Sequence, residues 1–247
     1  MREPFNPSPE IRATLNDLAR VHRILEIEGH GDMSMGHMSY RDPEGRGMWL
    51  KRGHLALSEV QAEDFLLVTL DGEVLQGEGF RHLEWPLHAE IFKARPDVNF
   101  VGHSHAHYAT VFGAGQNELA PVNNHGAWFA EHGVPRFDET SHIITTVDLG
   151  IAVARDLGAA EAILLANHGI AFTGGDVREL LLCGIFLEWS SKFQIDLESS
   201  GAKFAIPDHA ESIEKHGRIY PEPAKENYWK YFNRLLDISE GREPQAI

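Results

Sequence analysis

The sequence predicts an α/β fold in three α/β/α layers, with a mostly antiparallel central sheet between helices. Two observations lead to this. Apolar residues recur at helical spacing in long stretches toward both ends of the chain, as Ile11, Leu15, Leu18, Val21, Ile24 and Leu25 do. Between these stretches lie short apolar segments bounded by Gly, Pro and Asp, which read as strands and hairpins. A mixed order of hairpins and helices suits helices packed on both faces of one sheet. At 247 residues the chain suits one large domain or two small ones. No internal repeat or linker divides it, so residues 1–247 read as a single domain, with a loose arm at 1–8 and a C-terminal helical segment at 208–240.

Taken in order, Ser8 or Pro9 opens the first helix, which closes at Glu28-Gly29. Gly29–Pro43 is a Gly-rich loop leading into a short strand around His37–Arg41, and its glycines suit positions of positive φ. Met48–Lys51 is a strand. Phe65–Leu70 and Glu73–Leu75 form a hairpin around Asp71-Gly72, a type I′ signal. Trp85–Ala94 is a helix with Pro86 in its first turn, where a missing N–H costs nothing. Arg95-Pro96-Asp97 ends it, and Val98–Gly102 is a short apolar strand. Further short strands are expected at Glu118–Val122, Val134–Phe137, His142–Thr145 and Ala162–Ala166, with a helix from Val147 to Leu157. Asp176 N-caps a long helix to about Ser200, and Glu222–Ile238 is a last helix carrying Tyr228, Trp229, Tyr231 and Phe232.

The chemistry concentrates in Glu84–Gly115. The strand at 98–102 delivers His103-Ser104-His105, and side chains at i and i+2 share a face, so both imidazoles can reach one point. Glu84 stands just before the neighbouring helix. A third imidazole comes from Asn167-His168-Gly169, at the end of the apolar segment Ala162–Ala166. His103, His105 and His168 would supply three nitrogens and leave Glu84 or water at a fourth position, the ligand pattern of a catalytic metal site. Fifteen histidines make some chance His-X-His pairs inevitable, so the pair alone is also compatible with ordinary polar residues at a strand end. His125 and His132 read as loop or helix-end residues.

Composition narrows the partners. A net charge of −15 opposes binding of nucleic acid through phosphates. No apolar run approaches the roughly 18 residues that cross a bilayer. The N-terminus Met1–Glu10 has no hydrophobic core of a signal peptide, so a cytoplasmic protein is expected. The single cysteine, Cys183, rules out an internal disulfide and a Cys-rich zinc motif, and its apolar surroundings suit packing. A metal would therefore be held by His and carboxylate.

Glu84, then His103-Ser104-His105, then His168-Gly169 after an apolar strand resembles the class II aldolase/adducin-like family, which includes fuculose-phosphate-aldolase-type lyases and their decarboxylase relatives. The likeness extends over roughly residues 10–200. It implies that His103, His105 and His168 bind one divalent metal per subunit. Zn2+ comes first, with Mn2+, Co2+ or Fe2+ open. It also implies that Glu84 is a metal ligand able to act as acid or base. The fold becomes specifically class II aldolase/adducin-like, and a homotetramer with active sites at subunit contacts is implied. The aromatic helix at Tyr228–Phe232 is the candidate for reaching across.

Three departures from the family pattern bear on substrate. The substrate loop usually begins Gly-Asn, and here it reads Gly36-His37-Met38-Ser39-Tyr40-Arg41. Lys51-Arg52-Gly53 falls where phosphate-using members carry a Thr/Ser-Gly turn, and His82-Leu83 replaces two Ser before Glu84. Hydroxyls and backbone N–H groups suit a phosphate, whereas Lys or Arg suits a carboxylate. Adjacent strand residues point oppositely, so only one of Lys51 and Arg52 can face the site; both can equally be solvated surface charges. Gly36, His37, Lys51, Arg52, Gly53 and His82 are thus the candidate substrate-binding residues. The function expected is a metal-dependent carbon–carbon lyase, decarboxylase or aldolase, acting on a carboxylated, non-phosphorylated hydroxy, oxo or aromatic small molecule. The alternatives are a sugar-phosphate aldolase or epimerase and, from another class, a non-catalytic assembly module like the adducin head.

Overall fold

A computed structural model describes residues 2–243. Its centre is an eight-stranded sheet in the order β4-β3-β2-β1-β5-β8-β7-β6. The strands are β1 His37–Arg41, β2 Met48–Lys51, β3 Phe65–Val68, β4 Val74–Gln76, β5 Phe100–Ser104, β6 Arg136–Phe137, β7 Ala162–Leu165 and β8 Gly169–Gly174. Every neighbouring pair is antiparallel except β6 with β7, which makes the sheet mixed and mostly antiparallel as expected. The helices are α1 Pro9–Leu25, α2 Trp85–Ala94, α3 His107–Ala114, α4 Val147–Leu157, α5 Val177–Ser199, α6 His209–Ile219 and α7 Glu222–Ser239.

Strand alternation builds the layers. Trp49, Phe65, Leu67, Leu164 and Phe172 face an apolar cluster shared with α1, α3, α5 and α7. Their neighbours Met48, Leu50, Leu66, Leu165 and Ala171 face a second cluster shared with α2 and α4. On β1, Met38 joins the first cluster, which places His37 and Ser39 on the α2 side of the sheet. On β5, Val101 joins the second cluster, so His103 points to that side as well. Close approach of α5 depends on glycine. A Cβ at Gly102 would lie 2.4 Å from the Phe172 ring, and one at Gly184 would lie 2.9 Å from it.

Several expectations are corrected. The arm expected to be loose is docked within the described residues: Glu3 N–H donates to Leu75 O at 2.9 Å, Gly77 N–H donates to Glu3 O at 3.0 Å, and the Phe5 ring meets Trp49 edge-on. The sheet edge at β4 supplies the partners, which composition alone hides. The hairpin turn is not type I′. Gly72 N–H donates to Thr69 O and only Gly72 has positive φ, a three-residue loop ending in a left-handed glycine. Glu118–Val122 and His142–Thr145 are not strands, and of Val134–Phe137 only Arg136–Phe137 pairs. The β5 strand runs two residues later than predicted, so His103 lies in it and His105 just past its end. α7 does not project: Phe232 is buried, Tyr228 packs against Phe186 and Tyr220, and only Tyr231 of the four aromatics is well exposed. No described helix is long and apolar enough to cross a membrane.

Candidate active site

Four elements converge at one end of the sheet. β5 carries His103 and releases His105. The turn between β7 and β8 carries His168, and Asn167 beside it takes φ +57°, a left-handed conformation that Asn tolerates better than most residues. Glu84 occupies the N-cap position of α2 but does not cap it. Its Oε1 instead accepts the Ile144 N–H at 2.8 Å. The carboxylate then faces His103 Nε2 at 3.4 Å and His168 Nε2 at 3.5 Å. Ligand atoms of His103, His105 and His168 lie within 4.8 Å of one another.

The hydrogen bonds fix two tautomers. His103 Nδ1 lies 2.8 Å from the Ile170 carbonyl, which can only accept, so Nδ1 carries the proton and Nε2 keeps its lone pair. His105 Nδ1 donates likewise to the Asp32 carboxylate at 2.8 Å. Burial drives the His168 ring down to about 4, which keeps it neutral near pH 7. The Nε2 atoms of all three rings are buried without a hydrogen-bond partner. The lone pair of His103 points at a carboxylate, a repulsive arrangement that a cation between them would relieve. Buried polar atoms left this way call for an explanation. A divalent cation supplies one, and the donor set fits it.

The candidate substrate residues divide. His37 is fully buried beside Glu84, with Nε2 at 3.5 Å from Oε2, and the His82 ring centre lies 3.6 Å from its own. Burial pushes His82 down to about 3, and its Nδ1 has no partner. Gly36 is buried against Leu57. Lys51 points to the opposite face of the sheet from His37, where its ammonium donates to Gly36 O at 3.0 Å and to Ser34 O at 3.4 Å. It makes no ion pair among the described residues, and burial lowers it to about 8. Arg52 donates to Asp64 at 2.8 Å, and the Gly53 N–H donates to Phe80 O at 2.7 Å. Neither Arg52 nor Gly53 is therefore brought into the cluster.

Residue patterns missed three participants. Asp32 orients His105 from the Gly-rich loop, Ile144 holds Glu84 from a segment expected to be a strand, and His88 lies behind His37 on α2. Only His88 left a usable signal, since it follows Glu84 by one helical turn.

Residues 16–195 match the family Class II Aldolase and Adducin N-terminal domain. The chain is 27% identical over 203 residues to 3,4-dihydroxyphthalate decarboxylase from Arthrobacter keyseri, covering 77% of this chain and 82% of that one. It is also 27% identical over 158 residues to 5-deoxy-D-ribulose 1-phosphate aldolase from Bacillus thuringiensis, covering 64% and 73%. Among solved structures, L-fuculose 1-phosphate aldolase from Glaciozyma antarctica superposes with a TM-score of 0.82 at 23% identity, covering 99% of this chain and 97% of that one. That likeness shows the fold.

Proposed function

The chain belongs to the class II aldolase and adducin N-terminal domain family, and from that premise we propose that it is a divalent-metal-dependent carbon–carbon lyase acting on a carboxylated, non-phosphorylated small molecule. One observation carries the reading: three buried, unpartnered Nε2 atoms converge beside a carboxylate, two of them held as lone-pair donors by second hydrogen bonds. His103, His105 and His168 would hold the metal, with Glu84 beside it. A bound divalent cation supplies Lewis acidity that stabilises the electron pair released when a bond beside a carbonyl breaks. Glu84 takes or returns the proton at the substrate carbon or oxygen, its Oε1 held by the Ile144 N–H and its Oε2 turned to the imidazoles. Aldol cleavage and decarboxylation share these requirements and differ in the group that leaves.

The substrate class rests on what surrounds the cluster. A phosphate cradle needs free N–H groups and small hydroxyls. Here the Gly53 N–H is spent on Phe80, and the imidazoles of His37 and His82 fill the space. The partnerless His82 Nδ1 beside Glu84 favours a carboxylate, whereas Lys51, buried on the other face of the sheet, takes no part. The named activity of the decarboxylase relative acts on a carboxylated aromatic, in line with this. The test is a panel of hydroxylated aromatic acids, hydroxy and oxo acids, and sugar phosphates, assayed with and without chelator. Chelator-sensitive release of carbon dioxide or a small aldehyde from a carboxylated compound is expected. Efficient cleavage of a sugar phosphate with no turnover of carboxylated compounds would refute the substrate class.

A further inference from the structure

Behind Glu84 lies a line of buried polar side chains. Ser39 Oγ is 2.7 Å from His88 Nδ1, His88 Nε2 is 2.7 Å from His37 Nδ1, and His37 Nε2 is 3.5 Å from Glu84 Oε2. Ser39, His37 and His88 are each 0% exposed. The line crosses from β1 to α2 because the β1 alternation turns Ser39 and His37 toward α2, and the antiparallel register sets His37 opposite His103.

Such a line can run in only two directions when both rings are neutral. If His88 donated to Ser39, the serine O–H would have no acceptor among the described groups, and His37 would aim a lone pair at a carboxylate. If Ser39 donates to His88, the serine and His88 protons are both hydrogen-bonded, His88 Nε2–H donating to His37 Nδ1, and His37 Nε2–H, which has no hydrogen-bond partner among the described residues, faces Glu84 Oε2 at 3.5 Å. That oxygen accepts no hydrogen bond among the described residues, since the Ile144 N–H goes to Oε1. His37 Nε2 shares Oε2 with His103 Nε2, at 3.5 and 3.4 Å, whereas His168 Nε2 faces Oε1.

We infer that Ser39 and His88 are positioning residues that lock His37 in its Nε2–H tautomer, so that His37 presents a neutral N–H to Glu84 and to a substrate oxygen beside it. Ser39 and His88 act only through His37. The inference rests on Glu84 being the proton-transfer group, but its direct test does not.

The test is long-range proton–nitrogen correlation NMR of the folded protein, with the His37 signal assigned by loss in His37→Gln. Wild type is expected to show His37 with a pyrrole-like Nε2 and a pyridine-like Nδ1. Two variants then separate roles. His88→Leu cannot donate and should lose that single tautomer, whereas His88→Gln can donate an amide N–H and should keep it. Ser39→Ala, the smallest change, should leave His37 in mixed tautomers and guards against misfolding of the α2 variants. In turnover, His88→Leu should lower kcat about 10–100-fold, the range for groups that orient a reacting shell, with KM little changed and partial recovery in His88→Gln. A pyridine-like Nε2 on His37, or two protonated nitrogens, would overturn the inference, and so would an unchanged tautomer in both His88→Leu and Ser39→Ala. If the expected tautomers are found but no substrate turns over, the proposed function fails while the lock stands.

Discussion

In the proposed function the chemistry turns on Glu84, and its surroundings make its removal readable. Glu84→Gln keeps a carbonyl oxygen for the Ile144 N–H, so the local structure should survive, yet a carboxamide cannot carry a proton. The expected loss in kcat is about 100- to 10,000-fold with an unchanged unfolding transition; wild-type turnover would reduce Glu84 to a structural role. Lys51 gives a second residue-scale prediction. Burial lowers it from 10.5 to about 8, so between those pH values the unfolded chain binds the extra proton and stability rises with pH. Urea titrations of wild type and Lys51→Met should differ by about 3 kcal/mol in their change across that window, at 1.36 kcal/mol per pKa unit. Parallel curves would show that Lys51 is not held in this state. The converging histidines His103, His105 and His168 were legible in the sequence because strand alternation and a strand-end His-Gly are local patterns. Asp32 and Ile144 were not, because each reaches the site from irregular backbone whose path depends on packing around it.

At the scale of elements, the site depends on where strands stop. β5 ends at Ser104 and frees His105 to turn toward Asp32, and β7 ends so that Asn167 can reverse the chain and aim His168. The Asn167 φ of +57° predicts that Asn167→Gly is tolerated, whereas Asn167→Val costs about 1–2 kcal/mol or more of stability, the penalty of a side chain in the left-handed region. Thermal unfolding of the two variants checks this, and equal melting temperatures would contradict it. Element types were mostly readable from periodicity: the long helices, the hairpin strands and the buried strands at β5 and β7 fall within a few residues of expectation. The expected strands at 118–122 and 142–145 failed for a physical reason. Their backbone groups are taken by side chains and turns, as when Gln194 binds Ala120 N–H and Glu84 binds Ile144 N–H.

Assembly belongs to the whole molecule. The family resemblance implied a homotetramer with sites at subunit contacts, and the described surface suits one near the site. Met33, Leu83, Ile143, Val147 and Ile151 are all at least 40% exposed, on segments that border Glu84 and the three-histidine cluster. These stand beside the exposed Tyr231 of α7 as candidate contacts. Light scattering at micromolar concentration should give a tetramer, and Ile151→Glu should shift it to smaller species; a wild-type monomer would contradict the expectation. With a net charge of −15, a focus of positive charge at the cluster depends on the cation that the three imidazoles would hold.

Elemental analysis of the purified protein tests that dependence most directly, with His105→Ala as the comparison because His105 bonds to Asp32 and lies at the rim of the cluster. The wild type is expected to carry about one equivalent of a divalent metal per chain, as a single closed set of three nitrogens requires. His105→Ala should carry much less while remaining folded. A wild-type protein isolated without metal, and taking up none when Zn2+, Mn2+, Co2+ or Fe2+ is added, would contradict the central claim.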